Sequence, residues 1–252
     1  MEGRARDELL KARVLDAARL AESGGRARFA GFLDEGGARR AQRAAKASGF
    51  SGWMLWGGYP GAERVMFGAF PKFEEPSGEA FPIAAVTAAY RPQDRLGHRD
   101  FLGALLSAGI ERAALGDILA GEGRCVLFCR REVADFLCSQ VTKIGGAGVR
   151  LSLGAEEPYP EAHRFTPFSS VIASARLDCA VAAAAGMSRG KAAKMIRARL
   201  VERNHEPAGA PDGGVEEGDV LSVRGEGRFV IDRLGPVTQK GKLGFAGRKY
   251  IG

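Results

Sequence analysis

The side chains best suited to bind a ligand are seven lysines and arginines in one short stretch of the sequence. They are Arg176, Arg189, Lys191, Lys194, Arg197, Arg199 and Arg203. The stretch from 176 to 203 holds only two acidic residues, so its net charge is 7 − 2 = +5. Such cations bind nucleic acids by displacing counterions from phosphates, which positions a protein without reading the bases. The stretch therefore predicts a phosphate-binding surface.

Two short helices are predicted to position these charges. The first runs from Arg176 to Ala185, where apolar residues recur at helical spacing, and Gly186 ends it. Ser188 is suited to cap the second helix, and Met187 with Ala192 can close a hydrophobic staple around that cap. Small twisted strands are predicted to follow the second helix, up to about residue 235.

The second helix is predicted to have two different faces. The residues on its apolar arc, at about 100° per residue, are Ala192, Ala193, Met195, Ile196 and Leu200. Lys191, Lys194 and Arg197 lie together on the opposite arc, while Arg189 lies over the apolar arc but within the first turn. The helix N-terminus adds a partial positive charge and free N–H donors. One face should therefore pack, and the other should present positive charge.

The sequence around these helices resembles the RNA-binding domain named after the small-subunit ribosomal protein S-four. The residues that carry the resemblance are Arg176-Leu177-Asp178, Gly186-Met187-Ser188-Arg189, Ala192, Ile196, Leu200-Val201, Asn204 and Val215-Glu216-Glu217-Gly218-Asp219-Val220. In that family the two helices and the following loop bind structured RNA. The resemblance implies RNA contacts from Arg176, Ser188, Arg189, Lys191, Lys194 and Arg197.

Two residues depart from the family pattern within this stretch. Arg199 stands where the family usually has glycine, and Arg203 stands where it usually has a small apolar residue. Both add positive charge, and both belong to the candidate RNA-binding set. The alternative for the whole stretch is a solvated basic helix without a ligand.

The composition of the 252-residue chain favours a polyanionic partner. The net charge is +7 with a pI near 9.5, which leaves an acidic membrane surface as a second possibility. No apolar run approaches 18 residues, and no apolar signal core follows the N-terminus, so we expect neither a transmembrane helix nor secretion. The four cysteines lack paired metal spacing and are expected to be reduced thiols in the cytoplasm. No metal and no cofactor are predicted.

Residues 1–78 are predicted to form a small N-terminal α/β domain. The apolar stripe of its first helix is Leu9, Leu10, Val14, Ala17 and Ala21. Residues 34–37 are predicted to form a turn before a basic helix that ends at Lys46, and two short strands follow at 53–56 and 64–67. Residues 1–50 contain eleven Lys/Arg and seven acids, a net charge of 11 − 7 = +4. This region is either a second RNA-facing surface or a solvated face over a small core.

Residues 79–155 are predicted to form a ferredoxin-like βαββαβ middle domain, and the whole chain an α+β protein. The predicted order is a strand at 83–90, a helix at 98–108, a hairpin of 115–119 with 125–128, a helix at 132–141 and a strand at 149–153. The inward residues of the second helix are predicted to be Val133, Phe136, Leu137 and Val141. The strand at 123–129 offers only Phe128 as an aromatic residue, so base stacking of the usual RNA-recognition kind is not predicted there.

The chain also resembles the bacterial YlmH family over nearly its whole length, and the motifs that carry this resemblance lie in and near the middle region. The motifs are Trp56-Gly57-Gly58-Tyr59-Pro60, Leu96-Gly97-His98-Arg99-Asp100-Phe101-Leu102-Gly103-Ala104-Leu105-Leu106, Gly109-Ile110-Glu111-Arg112 and Gly116-Asp117-Ile118-Leu119. The resemblance implies RNA binding on the large ribosomal subunit. It also implies a role in ribosome-associated quality control, in which peptidyl-tRNA is steadied while an alanine tail is added to a stalled nascent chain. The family is also tied by name to cell division.

The remaining segments are predicted to be connecting or terminal. Residues 156–173 form a proline-containing linker with an extended entry to the last domain, which spans 174–252. The basic residues of its tail are Lys240, Lys242, Arg248 and Lys249. The tail either contacts phosphate or forms a frayed terminus.

No catalytic residues are predicted. His98-Arg99-Asp100 echoes the kinase catalytic loop, but Leu105 occupies the position of the required asparagine. Gly186–Lys191 is one residue too short for a phosphate loop, and residues 145–148 precede a strand and are interpreted as a turn. The first alternative function is an RNA-modifying enzyme with its chemistry near Asp100 or Asp117, and the second is a cell-division scaffold.

The sequence thus predicts a cytoplasmic, monomeric, non-enzymatic RNA-binding factor. Its predicted partners are ribosomal RNA, tRNA and the large ribosomal subunit, with no membrane partner. The predicted mechanism is electrostatic, because lysines and arginines bind phosphates while the shape of the RNA provides selection.

Overall fold

The chain folds into two compact units that together contain six α-helices and fifteen strands in the described residues. A computed structural model describes residues 2–162, 164–238 and 241–251. The units comprise residues 1–162 and 163–252. The prediction of a mixed α and β chain is confirmed.

The first unit begins with two helices packed on a small antiparallel sheet. The elements are α1 (Glu2–Gly24), β1 (Arg28–Phe29), α2 (Glu35–Ala47), β2 (Trp53–Trp56) and β3 (Met66–Ala69). The strand order is β1-β3-β2. The core between the helices and the sheet contains Val14, Ala21, Ala41, Ala45 and Phe67, all fully buried. Small alanines on both helices let α1 and α2 pack closely.

The turn predicted at residues 34–37 is wrong, because α2 already begins at Glu35. The carboxylate of Asp34 caps the helix by accepting a hydrogen bond from the backbone N–H of Gly37 at 2.7 Å. A Cβ on Gly37 would lie 3.1 Å from Asp34 Oδ1 and 3.2 Å from Leu33 Cβ. The glycines therefore permit a tight cap, which outweighs their low helix propensity.

The remainder of the first unit is a four-stranded antiparallel sheet with two helices on one face. Its elements are β4 (Ile83–Ala89), α3 (His98–Ser107), β5 (Leu115–Ala120), β6 (Arg124–Arg130), α4 (Arg131–Gln140), β7 (Lys143–Ile144), β8 (Ala147–Gly148) and β9 (Arg150–Leu153). The strand order is β5-β6-β4-β9, and β7 and β8 form a separate two-stranded hairpin. The core under the helices includes Val86, Phe101, Leu105, Leu127 and Leu137, all fully buried.

One residue predicted to face this core faces outward instead. Phe136 is 43% exposed, whereas Ala134 and Leu137 on the same helix are buried. Phe136 lies about 100° around the helix from Leu137 and about 200° from Ala134, so it points away from the face that these two residues bury. Gly145 and Gly146 form the turn between β7 and β8, so the predicted turn is confirmed there.

The second unit packs two helices on one face of a six-stranded antiparallel sheet. Its elements are β10 (Arg164–Ile172), α5 (Leu177–Ala184), α6 (Arg189–Arg197), β11 (Val201–Arg203), β12 (Glu206–Pro207), β13 (Val220–Val223), β14 (Gly227–Val237) and β15 (Leu243–Ile251). The strand order is β10-β15-β14-β13-β11-β12. The core between helices and sheet includes Leu177, Val181, Ile196, Leu221 and Phe229.

A segment that the sequence assigned to the linker and a segment of the predicted tail are long strands of this sheet. Residues 164–172, placed in the linker by the sequence, form β10, which pairs with β15 from Arg164↔Ile251 to Ile172↔Leu243. The frayed terminus considered for the tail is wrong for residues 243–251, because β15 lies between β10 and β14. The partner strands are far apart in sequence, so no local pattern announces their pairing. Lys240 of the predicted tail lies outside the described residues.

Candidate nucleic-acid interface

Helix α6 has the two faces that its sequence predicts. Ala192 and Ile196 are buried in the core of the second unit, while Lys191, Lys194 and Arg197 are exposed. Ser188 caps the helix, since its hydroxyl oxygen accepts a hydrogen bond from the backbone N–H of Lys191 at 3.2 Å. The capped helix therefore presents its cations on a fixed, solvent-facing surface.

Two of the candidate arginines meet at a buried carboxylate. Arg176 donates to Asp178 from Nε at 3.2 Å and from Nη2 at 3.1 Å, and Arg189 donates from Nε at 3.0 Å. The Asp178 side chain is 5% exposed, whereas those of Arg176 and Arg189 are 39% and 53% exposed. Burial raises the pKa of Asp178, but hydrogen bonds from the two guanidiniums outweigh it and lower the pKa to about 2. The ionised carboxylate thus brings together one arginine that precedes α5 and one that begins α6.

This arrangement leaves both guanidiniums partly open to solvent. Each planar group has five N–H donors, and Asp178 accepts from only one or two of them on each arginine. Holding the groups in place lowers the entropy cost of binding a phosphate between them. Sequence reasoning gave Asp178 no role, although its position two residues after Arg176 in the first turn of α5 was a usable signal.

The five remaining cations of the predicted set differ in their partners. Lys191 Nζ lies 3.0 Å from Glu226 Oε1, an acceptor that the sequence analysis missed. Lys194, Arg197 and Arg199 are exposed, and within the described ranges no acidic side chain pairs with them. These three side chains form the unpaired group of the interface.

Arg199 occupies a backbone position that explains the usual glycine there. Its φ is +56°, in the left-handed region, directly after the C-cap residue Ala198. The backbone N–H of Arg199 donates to Ile196 and that of Leu200 donates to Met195, at 2.9 and 3.0 Å. This pair of hydrogen bonds is the Schellman motif, in which glycine is favoured. The arginine therefore adds charge beside α6 at a cost in backbone strain.

Arg203 lies apart from the helix face and is tied to a structural cluster. Its Nε is 2.6 Å from Asp219 Oδ2, and its side chain is 32% exposed. Asn204 donates to Asp219 Oδ1 at 2.6 Å and accepts from the backbone N–H of Val220 at 2.9 Å. Both Asn204 and His205 have positive φ, as a two-residue type I′ hairpin turn requires. The cluster therefore shapes the turn between β11 and β12.

The two carboxylates considered for catalysis in the first unit are engaged in structural hydrogen bonds. Asp100 accepts from the backbone N–H of Gly97 at 2.8 Å, so it helps to cap α3. Asp117, 7% exposed, accepts from Tyr59 Oη at 2.7 Å and from the backbone N–H groups of Glu63 and Arg64 at 2.8 and 3.0 Å. Both oxygens of Asp117 are therefore occupied by donors.

Two of the four cysteines are unsuited to nucleophilic chemistry. Cys125 and Cys129 are fully buried, and burial raises the pKa of both thiols, that of Cys129 to about 12. Across the described ranges, no cluster of three His, Cys, Asp or Glu side chains is arranged to hold a metal. None of the helices in the same ranges is long and apolar enough to cross a membrane.

Comparisons with known proteins relate the chain to a family model, to a curated relative and to a solved structure. Residues 76–156 match the family model described as "Putative RNA-binding domain in YlmH". The chain is 32% identical over 193 residues to the ribosome-associated protein quality control protein P2 of Bacillus subtilis (strain 168), which covers 76% of this chain and 75% of that protein. It also resembles the structure of cell division protein ylmH from Streptococcus pneumoniae. That likeness has a TM-score of 0.53 at 19% identity and covers 60% of this chain and 92% of the other.

Proposed function

Because the chain belongs to the YlmH family, we propose that it is a non-enzymatic RNA-binding factor of ribosome-associated quality control. The proposed partners are ribosomal RNA and tRNA on the large ribosomal subunit, and the proposed state is a cytoplasmic monomer. The observation that carries the proposal is the exposed cationic face of α6, formed by Lys194 and Arg197 beside Arg199 and the arginine pair at Asp178.

The proposed mechanism is electrostatic positioning on a folded RNA. The unpaired cations displace counterions from phosphates, and Arg176 and Arg189, held together by Asp178, provide a preset site for a phosphate at the N-terminal end of α6. Lys191 contributes less, because a phosphate must compete with Glu226 for its ammonium group. Arg203 supports the adjoining hairpin and contacts RNA only at the edge of this surface.

The proposed domain architecture follows the sequence prediction. Residues 79–155 are assigned to a ferredoxin-like domain, since the order β5-β6-β4-β9 reads 2-3-1-4 in the βαββαβ scheme. Residues 174–252 are assigned to an S-four-type domain, supported by the helix pair α5 and α6 and the strands that follow them. The proposed N-terminal domain is 1–78 and the proposed linker is 156–173, of which residues 164–172 form β10.

The contacts of the candidate carboxylates favour RNA binding over an RNA-modifying enzyme. A general base needs a free oxygen facing substrate, and Asp117 has three donors on its two oxygens. Asp100 is occupied at the N-terminus of α3. The cell-division scaffold is kept as an outcome of the test below.

The test is sedimentation of a cell lysate through a sucrose gradient, with detection of the protein in each fraction. The wild type should travel with free large subunits, and the Lys194→Gln/Arg197→Gln variant should remain near the top. Lys11→Gln/Arg13→Gln removes the same charge from exposed positions on α1 and serves as the matched control. Wild type near the top at low salt would overturn the proposal, and nuclease-resistant capture of division proteins would favour the scaffold.

A further inference from the structure

Aromatic residues of the chain itself cover part of the outer face of the β5-β6-β4-β9 sheet, opposite α3 and α4. Phe128, the single aromatic residue of its strand, is 1% exposed. Tyr59 stacks on it with ring centroids 4.7 Å apart and planes 25° apart. Tyr159 meets both rings edge-on at 5.6 Å. Phe128 is therefore already stacked, so a base that binds this face must do so beside it.

A cavity of about 450 Å³ lies at that place, entirely within the first unit. Its lining residues are Met54, Trp56, Gly58, Gly78, Glu79, Phe81, Ile83, Ala85, Phe128, Arg131 and Tyr159. The volume lies within the range of small-molecule sites, and four of the lining residues are aromatic. The cavity is thus large enough to hold one planar ring system of a ligand among several aromatic side chains.

Two glycines hold the aromatic walls of the cavity in place. A Cβ on Gly78 would lie 2.8 Å from Cε2 of Trp56, and a Cβ on Gly58 would lie 2.5 Å from Cδ1 of Phe128. The backbone therefore packs directly against both rings at distances that no other residue type allows. Rings fixed in this way do not lose further freedom when a ligand stacks on them.

We propose that this cavity binds a single unpaired nucleobase of RNA, with guanine preferred. Bases stack on aromatic side chains regardless of sequence, and a carboxylate such as that of Glu79 can accept from both N1–H and the exocyclic amine of guanine. Among the described residues, the Arg131 guanidinium donates one long hydrogen bond, to Ile83 O at 3.4 Å, and so keeps N–H groups for the adjoining phosphate. The inference rests on the proposed RNA-binding function and adds a second contact in the other unit.

An apolar peptide side chain fits this cavity less well than a base. It would fill the aromatic volume but would form no ion pair or hydrogen bond with Glu79 and Arg131, which are both exposed among the lining residues. A nucleotide carries both a donor edge and an anionic phosphate, and thus complements the two charges. The charges of the lining therefore favour a nucleotide over an apolar side chain.

The test measures fluorescence of Trp56 in a full-length Trp53→Phe background, where it is the remaining tryptophan. The probes are 5′-GMP, 5′-AMP and single-stranded RNAs of about nine nucleotides with a guanosine or an abasic site at the centre. Ala85→Phe places a ring in the cavity from β4, a strand position that tolerates aromatic residues. Ala89→Phe, on the same strand face but at an exposed position, is the matched control.

Guanine-containing RNA and 5′-GMP should quench Trp56, and the abasic site should weaken RNA binding about tenfold. Ala85→Phe should weaken RNA binding by the same factor and abolish the quenching of Trp56. The RNA affinity of the Ala89→Phe control should stay within about twofold of the wild type. Glu79→Gln should remove the preference for GMP over AMP. If the protein with an unmodified cavity bound the abasic RNA as tightly as the guanosine RNA, the proposal would be overturned. This outcome does not rely on any cavity variant. Quenching by N-acetyl-phenylalaninamide but not by GMP would also overturn it, in favour of a protein segment. Sedimentation of Ala85→Phe with large subunits tests the proposed function separately, since that function depends on α6.

Discussion

Neutralising Lys194 and Arg197 should change how RNA binding responds to salt. Both side chains are exposed, and in the part of the chain that the structure describes neither has an acidic partner. Each is therefore assigned one phosphate, and removing one such cation should make the slope of log affinity against log salt shallower by about 0.7 to 0.9. The slope of the Lys194→Gln/Arg197→Gln variant should accordingly be shallower by about 1.4 to 1.8.

The same slopes set the loss of affinity at a given salt concentration. At about 0.15 M salt, log(1/0.15) is about 0.8, so the two cations together contribute about 1.2 to 1.5 logarithmic units. The double variant should therefore bind about 15- to 30-fold more weakly at physiological ionic strength. Lys191→Gln should have a smaller effect, because breaking its pair with Glu226 already reduces the gain from a phosphate.

The assay is filter binding of purified protein to purified large ribosomal subunits between about 0.05 and 0.3 M salt. Thermal unfolding of each variant should match the wild type, since the replaced side chains are exposed. Lys11→Gln/Arg13→Gln controls for net charge. An unchanged slope in the Lys194→Gln/Arg197→Gln variant, or an equal loss in the control, would refute the assignment of phosphates to the cations of α6.

Four further predictions concern individual side chains. Asp178→Asn raises the net positive charge yet should weaken RNA binding several-fold, because the arginines lose their common anchor; tighter binding would contradict the positioning role. Since the pKa of Asp178 is lowered to about 2, the free energy of unfolding should fall as pH falls from about 4 through 2, and less steeply in Asp178→Asn, as measured by urea unfolding. Arg199→Gly should stabilise the chain by about 0.5 to 1 kcal/mol in the same assay, by relieving the left-handed φ, while it weakens RNA binding. Asp117→Asn should destabilise the first unit by about 3 kcal/mol and Tyr59→Phe by about 2 kcal/mol, because each change disrupts the set of three hydrogen bonds that the buried Asp117 carboxylate accepts. A loss of unfolding free energy below about 1 kcal/mol in both variants would contradict this role.

Local signals made the helix pair of the second unit predictable from sequence. Ser188 followed by an apolar and a basic arc defines α6, and Gly186 with φ +64° ends the preceding helix. The motif of the S-four-type resemblance also contains Asn204 and Asp219, whose hydrogen bond shapes a hairpin. Each of these features depends on residues close in sequence or on a known motif.

Features that depend on distant residues were not predictable in this way. The pairing of β10 with β15 joins segments about seventy residues apart, so the local sequence of neither segment predicts it. The covering of Phe128 by Tyr59 and Tyr159 likewise requires three separate segments to meet. Asp178 was visible in the motif, but its link to Arg189 depends on how α5 and α6 pack.

Photocrosslinking from α6 tests the central claim most directly. A benzophenone amino acid at exposed Ala198, beside the cationic face, should crosslink in cells to large-subunit ribosomal RNA or tRNA. The same group at exposed Ala12 on α1 provides the comparison. Crosslinks from 198 that contain RNA and disappear in the Lys194→Gln/Arg197→Gln variant are the predicted result. Crosslinks from 198 to protein alone, or RNA crosslinks from position 12 only, would contradict the account.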